Sequence, residues 1–312
     1  MKSSQKNKQI ILSASRRTDI PAFYMDWFMS GLQKGLFNIH HPFHRKKMII
    51  PATPEHIHSI VFWSKNYGPF IQGGYADRLQ SMGYHFYFHF TINTPSEILE
   101  PGVPSLEDRL NQLRSLCSLA GPEVINWRFD PICRYQTLDH HGKLTIFDNL
   151  NGLDNIARTV SDVGIKRCVI SFMDDYRKIH TRLKQLPYFQ FIKFTIKEQV
   201  EIILCIENKL KEYGLQLFVC CEKDLLNALP QTSGIKANSC IPGDFLMKHY
   251  GGQLTVKKDY GQRIKQGCEC SASRDIGDYV CHPCLHQCLY CYANNVRVKS
   301  GITPQPPPQI RT

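Results

Sequence analysis

Alternation of short apolar runs with amphipathic segments is the feature that most constrains the fold of this 312-residue chain. Apolar and β-branched content predicts six strands, and helical periodicity with glycine stops predicts helices between them. The predicted strands are 9–14, 57–62, 85–93, 124–129, 167–172 and 215–220. Helices are predicted to open at 23 and to cover 70–82, 106–120, 146–163 and 196–213. This order indicates a parallel sheet with crossover connections.

Charged side chains follow the predicted strands at the points where the strands end. In a β/α barrel, the loops after the carboxyl ends of the strands carry the active site. The sequence therefore predicts an α/β fold with a partial (β/α)6 TIM-like barrel. The predicted catalytic residues at its mouth are Arg16, Arg17, Asp19, Lys65, Arg128, Asp130 and Glu222. For any one of them the alternative stays open that strand ends are simply where chains become polar.

Arg128 and Asp130 are part of a predicted strand end, on either side of Phe129. At least one of these charges should point toward the interior or the mouth of the sheet, and buried charges need partners. We therefore expect an Arg–Asp pair that can also hold a carboxylate or a phosphate.

Thirteen cysteines are present, and six of them lie within 268–291. Clustering with short spacings indicates metal binding rather than disulfides. Cys284, Cys288 and Cys291 are spaced C-x3-C-x2-C, and Tyr290 directly precedes the last cysteine. Three thiolates at this spacing can hold three corners of a [4Fe–4S] cluster and leave one iron open, whereas ferredoxin-type clusters use four cysteines. Structural zinc, which takes four Cys or His ligands, is the alternative.

The spacing and the aromatic residue resemble the cluster motif of the radical S-adenosylmethionine (SAM) superfamily. That resemblance implies SAM at the open iron, with Cys284, Cys288, Tyr290, Cys291 and Asn294 as cofactor-binding residues. It also implies reductive cleavage of SAM, hydrogen abstraction from a substrate, and an electron donor such as flavodoxin or ferredoxin. In that superfamily the motif normally lies early in the chain, whereas here it is near the C-terminus.

A second group of cysteines lies outside the triplet. Cys240, Cys268, Cys270 and Cys281 could hold a second [4Fe–4S] cluster or a structural zinc ion. Free cysteines are the third alternative, since a thiol packs well as a small apolar group. Among the remaining cysteines, Cys117, Cys168 and Cys205 are predicted in the core, Cys221 at the mouth, and Cys133 and Cys220 are undecided.

The net charge of +11 and the pI near 9.0 favour an anionic partner. A small anionic substrate is preferred over nucleic acid, because the positive residues are scattered along the sequence. No secretory signal is recognisable, and no apolar run approaches the ~20 residues of a spanning helix. We therefore expect a cytoplasmic protein without membrane contact, whose thiols are reduced.

Several blocks of the sequence are similar to a mainly bacterial family known as domain of unknown function 1848. These blocks are 15–22, 62–66, 127–132, 170–172, 273–279 and the cysteine motif, and the similarity runs from about 9 to about 296. The resemblance implies a barrel-like domain with a C-terminal iron–sulfur motif. Glu269 and Pro242 depart from the usual pattern of the family, beside the second group of cysteines.

Two hypotheses follow. The first is a radical-SAM-like iron–sulfur enzyme that acts on an anionic substrate. The second is a structural zinc or iron–sulfur protein that binds nucleic acid or a phosphorylated ligand without radical chemistry. The predicted organisation is a disordered basic arm at 1–8, the barrel-like domain at 9–239, the cysteine-rich segment at 240–299 and a proline-rich tail at 300–312.

Overall fold

The computed structural model describes residues 9–40, 46–254, 257–260 and 263–294. The predicted arm at 1–8, the tail at 300–312 and the last residues of the cysteine-rich segment lie outside these ranges. No helix in the described part of the chain is long and apolar enough to cross a membrane.

The described residues form thirteen strands. They are Ile10–Ser13 (β1), Leu36–His40 (β2), Lys47–Pro51 (β3), Ile57–Ser64 (β4), His85–Thr91 (β5), Ile125–Ile132 (β6), Arg134–Leu138 (β7), Leu144–Asp148 (β8), Arg167–Phe172 (β9), Gln190–Ile192 (β10), Gln216–Val219 (β11), Lys236–Ala237 (β12) and Ser273–Asp275 (β13).

The described residues also form ten α-helices. They are Ile20–Phe23 (α1), Met25–Gln33 (α2), Gly68–Gln72 (α3), Tyr75–Ser81 (α4), Leu106–Ala120 (α5), Leu153–Asp162 (α6), Arg177–Leu183 (α7), Ile196–Glu212 (α8), Lys223–Ala228 (α9) and Gly243–Tyr250 (α10), with short 3-10 turns at Pro122–Val124 and Ile264–Gln266.

The main sheet has eight described strands in the order β12-β11-β9-β6-β5-β4-β1-β13. All of its strand pairs are parallel. The six strands predicted from sequence correspond to β1, β4, β5, β6, β9 and β11, and they lie side by side in chain order. The prediction of an α/β fold with a parallel sheet is therefore confirmed. Crossover connections explain this order, because the segment between two parallel strands returns the chain to the next position in the sheet.

The main sheet is not a closed barrel, since the described edge strands β12 and β13 do not pair with each other. The segment that follows β12 nevertheless meets the segment that precedes β13. The backbone N–H of Ser271 donates to the carbonyl of Ile241 at 3.0 Å, and the N–H of Gly243 donates to the Ser271 hydroxyl at 3.2 Å. The sheet is therefore curled, so that its two edges approach each other.

The strands of the main sheet are apolar on both faces, as expected where helices cover a parallel sheet. In β4, residues 57–62 are all buried. Aromatic rings fill the space between β4, β5 and the following helices: the Phe62 and Phe88 rings stack at 5.7 Å, and the Tyr67 and Phe70 rings pack edge-on against Phe88. This core fixes the strand ends that carry the candidate site.

Two predicted helices differ from the observed elements. The segment predicted as helix 146–163 begins with β8, which pairs antiparallel with β7, and α6 starts only at Leu153. The segment predicted as helix 70–82 is broken into α3 and α4, because Gly74 has a left-handed backbone with φ of 59°. The prediction of Cys205 as a core residue is wrong, since it lies on the exposed side of α8.

Candidate functional site

Asp19 connects the ends of two strands with the cysteine-rich segment. Its carboxylate accepts hydrogen bonds from the Ser64 hydroxyl at 2.8 and 2.9 Å and from the Lys65 backbone N–H at 3.0 Å. It also caps α1 by accepting from the Ala22 N–H, and it contacts the His286 ring nitrogen Nε2 at 2.8 Å. His286 lies between Cys284 and Cys288 in the sequence. The cysteine triplet is therefore attached to the carboxyl ends of β1 and β4.

Residues 281–294 are called the cysteine loop below, and buried donors hold its backbone in place. The guanidinium of Arg182, on α7, donates to the carbonyls of Cys288 at 3.1 Å and Cys291 at 2.6 Å. Asn294 donates its side-chain amide to the same Cys288 carbonyl at 3.2 Å. Asn294, predicted to bind a cofactor, therefore contacts the loop backbone in this structure.

The three thiols of the triplet interact electrostatically; Cys288 is buried, and Cys284 and Cys291 are half-buried. Burial raises the pKa of Cys284 to about 12 and the pKa of Cys288 well above its ordinary value. Burial also raises the pKa of Cys291, whereas the charge of Lys65 opposes the shift at Cys288 and Cys291. Metal binding has to remove these thiol protons. Within the described ranges, no group of three or more His, Cys, Asp or Glu is already arranged to hold a metal ion.

Lys65 belongs to a buried charge network beside Cys288. Its ammonium group lies 2.9 Å from Glu100 Oε1, and the Arg109 guanidinium lies 3.9 Å from Glu100 Oε2. Tyr290 donates its hydroxyl hydrogen to Glu100 as well. Burial opposes the ionisation of Glu100, but Lys65 and Arg109 hold its pKa below the ordinary value. The aromatic residue of the motif therefore anchors the cysteine loop to this network.

Glu100 and Arg109 were not identified from the sequence. Glu100 lies in the loop after β5, nine residues beyond its last residue Thr91, and Arg109 lies on α5. Neither residue follows a strand end directly, so the strand-end pattern could not select them. A charged residue on the otherwise apolar face of α5 is the one signal that the sequence offers for Arg109.

Arg128 and Asp130 form the ion pair that their sequence pattern predicts. The Arg128 Nε and Nη2 atoms lie 3.0 and 2.6 Å from Asp130 Oδ2, and Ser171 donates its hydroxyl hydrogen to the other carboxylate oxygen. The remaining guanidinium nitrogen, Nη1, lies 3.2 Å from the Cys240 sulfur. This pair therefore links the ends of β6 and β9 to the second group of cysteines.

Arg16 and Arg17 lie in different surroundings although they are neighbours in sequence. Arg16 points to the carboxylates of Asp259 at 3.5 Å and Asp275 at 3.4 Å. Arg17 donates instead to the backbone carbonyls of His40 and Gly277, both at 3.3 Å. Arg16 therefore belongs to the mouth of the sheet, whereas Arg17 supports the loops around β1.

Glu222 is the acidic group at the end of β11. It accepts a hydrogen bond from the Phe172 backbone N–H at 2.8 Å, which fixes it beside β9. Burial, followed by the neighbouring carboxylates Asp174 and Asp130, raises the pKa of Glu222 to about 7. Such a carboxyl group can both accept and donate a proton near neutral pH.

Five cysteines meet beside the carboxyl ends of β11 and β12. The Cys220 sulfur lies 3.4 Å from that of Cys240 and 3.8 Å from that of Cys221. The thiol of Cys240 also interacts with that of Cys270, Cys270 with Cys268, and Cys268 with Cys221. These five side chains are called the five-thiol ring below.

The five-thiol ring includes three of the four cysteines predicted for a second site. Cys281, the fourth, is exposed, and its backbone N–H donates to Asp278 at 2.9 Å. Cys220 and Cys221 complete the ring instead. Hydrogen bonds from Cys220 and Cys270, supported by Arg128, lower the pKa of Cys240 well below its ordinary value. The adjacent pair Cys220-Cys221 at a strand end was the sequence signal for their location.

Fold and site together define a parallel α/β protein whose cysteine-rich C-terminal segment is fixed against the strand ends. The sequence matches the family described as Domain of unknown function (DUF1848) over residues 11–293. The chain belongs to this family. A comparison with curated proteins gives no match.

Proposed function

We propose that the chain is a radical-SAM-like iron–sulfur enzyme whose partial barrel carries the reaction at its mouth. Cys284, Cys288 and Cys291 would hold a [4Fe–4S] cluster, and SAM would bind at the open iron. The observation that carries the proposal is the contact between Asp19 and His286, which supports a location of the triplet beside the ends of β1 and β4. When bound, the cluster and SAM would supply one-electron reduction and a radical for hydrogen abstraction.

The charges around the triplet suit the loss of its thiol protons. Lys65 favours the thiolate forms of Cys288 and Cys291, and Arg182 acts in the same direction at Cys291. Arg182 also holds the loop carbonyls, so its position does not depend on the thiols. The side chains of the three cysteines would have to turn toward one another to bind the cluster. The residues present fit a group that needs thiolate ligands in a buried, positively charged setting.

Residues of the mouth would bind and orient the substrate. The guanidinium groups of Arg16 and Arg128 already contact carboxylates, so an anionic substrate would have to exchange with Asp275 or Asp130 at these positions. Glu222, with a pKa of about 7, could hold or release a proton at its carboxyl oxygen. An electron donor such as flavodoxin or ferredoxin would have to approach the cysteine loop from outside.

The alternative function is a structural zinc or iron–sulfur protein that binds nucleic acid or a phosphorylated ligand. The net charge of +11 is compatible with this alternative too, since it attracts anionic partners of either kind. In that case the triplet would hold zinc without labile sulfide, and added SAM would not be cleaved.

The decisive experiment is anaerobic reconstitution with iron and sulfide, followed by reduction and addition of SAM. We expect formation of 5′-deoxyadenosine and an iron–sulfur absorption band. Cys288→Ala should abolish both signals, because it removes a ligand of the triplet. Cys205→Ala is the matched control, since Cys205 is exposed on α8 and should leave both signals unchanged. Cluster assembly without any cleavage of SAM would contradict the proposed reaction, and zinc without sulfide at the triplet would favour the alternative.

A further inference from the structure

The five-thiol ring is separate from the triplet and is not used by the proposed reaction. The Cys220 sulfur contacts those of Cys221 and Cys240, and interactions between thiols connect Cys240, Cys270, Cys268 and Cys221 in turn. Protonated thiols satisfy one another in this way, because each is a weak donor and a weak acceptor. Five thiols in one such ring are more than the four ligands of a tetrahedral metal site.

The ring is assembled from three segments that are distant in sequence. Cys220 and Cys221 follow β11, Cys240 follows β12, and Cys268 and Cys270 precede β13. Because β12 and β13 are opposite edges of the main sheet, the ring spans the gap between the edges. This location agrees with the backbone contact between Ser271 and Ile241.

Positively charged and N–H groups surround the ring. Arg128 Nη1 and Asn238 Nδ2 both lie 3.2 Å from the Cys240 sulfur. Arg16 interacts electrostatically with Cys240 and Cys270, and Arg263 does so with Cys221 and Cys220. Four thiolates around a divalent cation carry a net charge of −2, which these guanidinium groups would offset. N–H donors to metal-bound sulfur are also the usual supporting contacts of thiolate sites.

The separations between the sulfurs identify the kind of centre. A tetrahedral ion with metal–sulfur bonds of about 2.3 Å holds its sulfur ligands about 3.8 Å apart. The sulfurs of Cys220 and Cys240 lie 3.4 Å apart, close to that separation. To bind a single ion, the thiols would have to lose their protons and turn inward from the ring, which in its present form surrounds no ready-made centre.

We propose that the five-thiol ring binds one zinc ion through its four buried members, Cys220, Cys240, Cys268 and Cys270. Tetrahedral sites with four sulfur ligands are typical of zinc in reduced compartments. The half-buried Cys221 stays outside the ligand set. Zinc at this position fastens the two edges of the main sheet to each other at the mouth. The site is structural, because its four ligands leave no open coordination position.

The test is metal analysis of the full-length protein, purified with zinc present and freed from loosely bound metal. We expect about one zinc ion per chain, with loss of zinc in Cys240→Ser and Cys268→Ser. Cys281→Ser is the matched control from the same segment and should retain zinc. Cys221→Ser should retain it too. Zinc that persists in Cys240→Ser, or that is lost in Cys281→Ser, would overturn the assignment.

A second measurement covers the case in which a variant does not fold. Cobalt(II) added to the wild-type protein should give the intense thiolate charge-transfer and visible bands of a tetrahedral sulfur site. Cys288→Ala should keep these bands while losing iron–sulfur absorption after reconstitution. The failure of the zinc proposal is thereby distinguishable from the failure of the proposed enzyme function. Wild-type protein without zinc and without these cobalt bands would refute the zinc site.

Discussion

At the scale of single residues, the carboxylate of Asp19 receives contacts from α1, from the end of β4 and from the cysteine loop. Its partner His286 also points its other ring nitrogen at the Gly102 carbonyl, at 3.0 Å. Both ring nitrogens thus face oxygen atoms of buried neighbours. A buried contact of this kind depends on both partners, because either one alone is left without compensation.

Replacement of Asp19 by Ala should therefore destabilise the protein by about 1–3 kcal/mol, because His286 and the Ser64 hydroxyl lose their partner in a buried site. Urea unfolding measures this change. Asp162→Ala, at the exposed end of α6, is the control and should have little effect. Equal stability of Asp19→Ala and wild-type protein would show that the contact is not important for the fold.

Lys65 is the second residue whose role is testable on its own. Lys65→Met keeps the apolar stem but removes the charge, leaving Glu100 with the more distant Arg109. We expect a loss of several kcal/mol in stability and weaker retention of iron by the triplet, since the Cys288 thiolate loses its nearest cation. Iron content after reconstitution and urea unfolding measure the two effects. Lys197→Met on the exposed face of α8 should change neither, and unchanged iron binding in Lys65→Met would argue against this role.

At the scale of elements, the strands of the main sheet were predictable because each one is a short apolar run with a polar end. The small antiparallel sheet β10-β7-β8 was not predictable from the sequence. Its strand β8 alternates exposed and half-buried residues over Leu144–Asp148, and this pattern reads equally well as the first turn of a helix. Pairing with β7 decides the outcome, and a pairing partner is not visible in a local window.

In the candidate site, too, some groups of residues could be predicted from the sequence and others could not. The pair Arg128–Asp130 and the loop cysteines follow from local pattern, since their signals lie within a few residues. The five-thiol ring does not, because Cys221 and Cys268 are brought together only by the curl of the sheet. Likewise, Cys281 matches the spacing of a ligand but is placed on the surface by its turn with Asp278.

The packing of β5 against α10 can be tested by the pH dependence of the free energy of unfolding. The first residue of β5, His85, stacks on Tyr250 of α10 at 4.3 Å between ring centres, and burial together with His58 and His249 lowers the pKa of His85. A histidine with a lowered folded pKa binds its proton more readily when unfolded, so stability should fall as the pH drops below about 6.5. His85→Gln should reduce this dependence between pH 7 and pH 5. Unfolding free energies at several pH values measure it, and parallel curves for both proteins would contradict the assignment.

At the scale of the whole molecule, the main sheet is held by its core along the strands but open between its edges. The cysteine loop covers the ends of β1 and β4, and the five-thiol ring lies where the edges approach each other. The triplet and the five-thiol ring are thus two separate groups of thiols on one sheet. Metal bound to either group would stabilise the folded state by linkage, because the unfolded chain does not preserve the site.

Zinc should therefore raise the stability of the entire sheet and not only that of the C-terminal segment. A ligand that binds only the folded state adds about 1.4 kcal/mol for each tenfold increase in its free concentration above the dissociation constant. We expect the thermal midpoint of the wild-type protein to rise with buffered free zinc and to fall when a chelator removes it. Cys240→Ser should show no such response, whereas Cys281→Ser should respond like wild type. A midpoint that is independent of zinc in the wild-type protein would mean that the two edges are held by packing and hydrogen bonds alone.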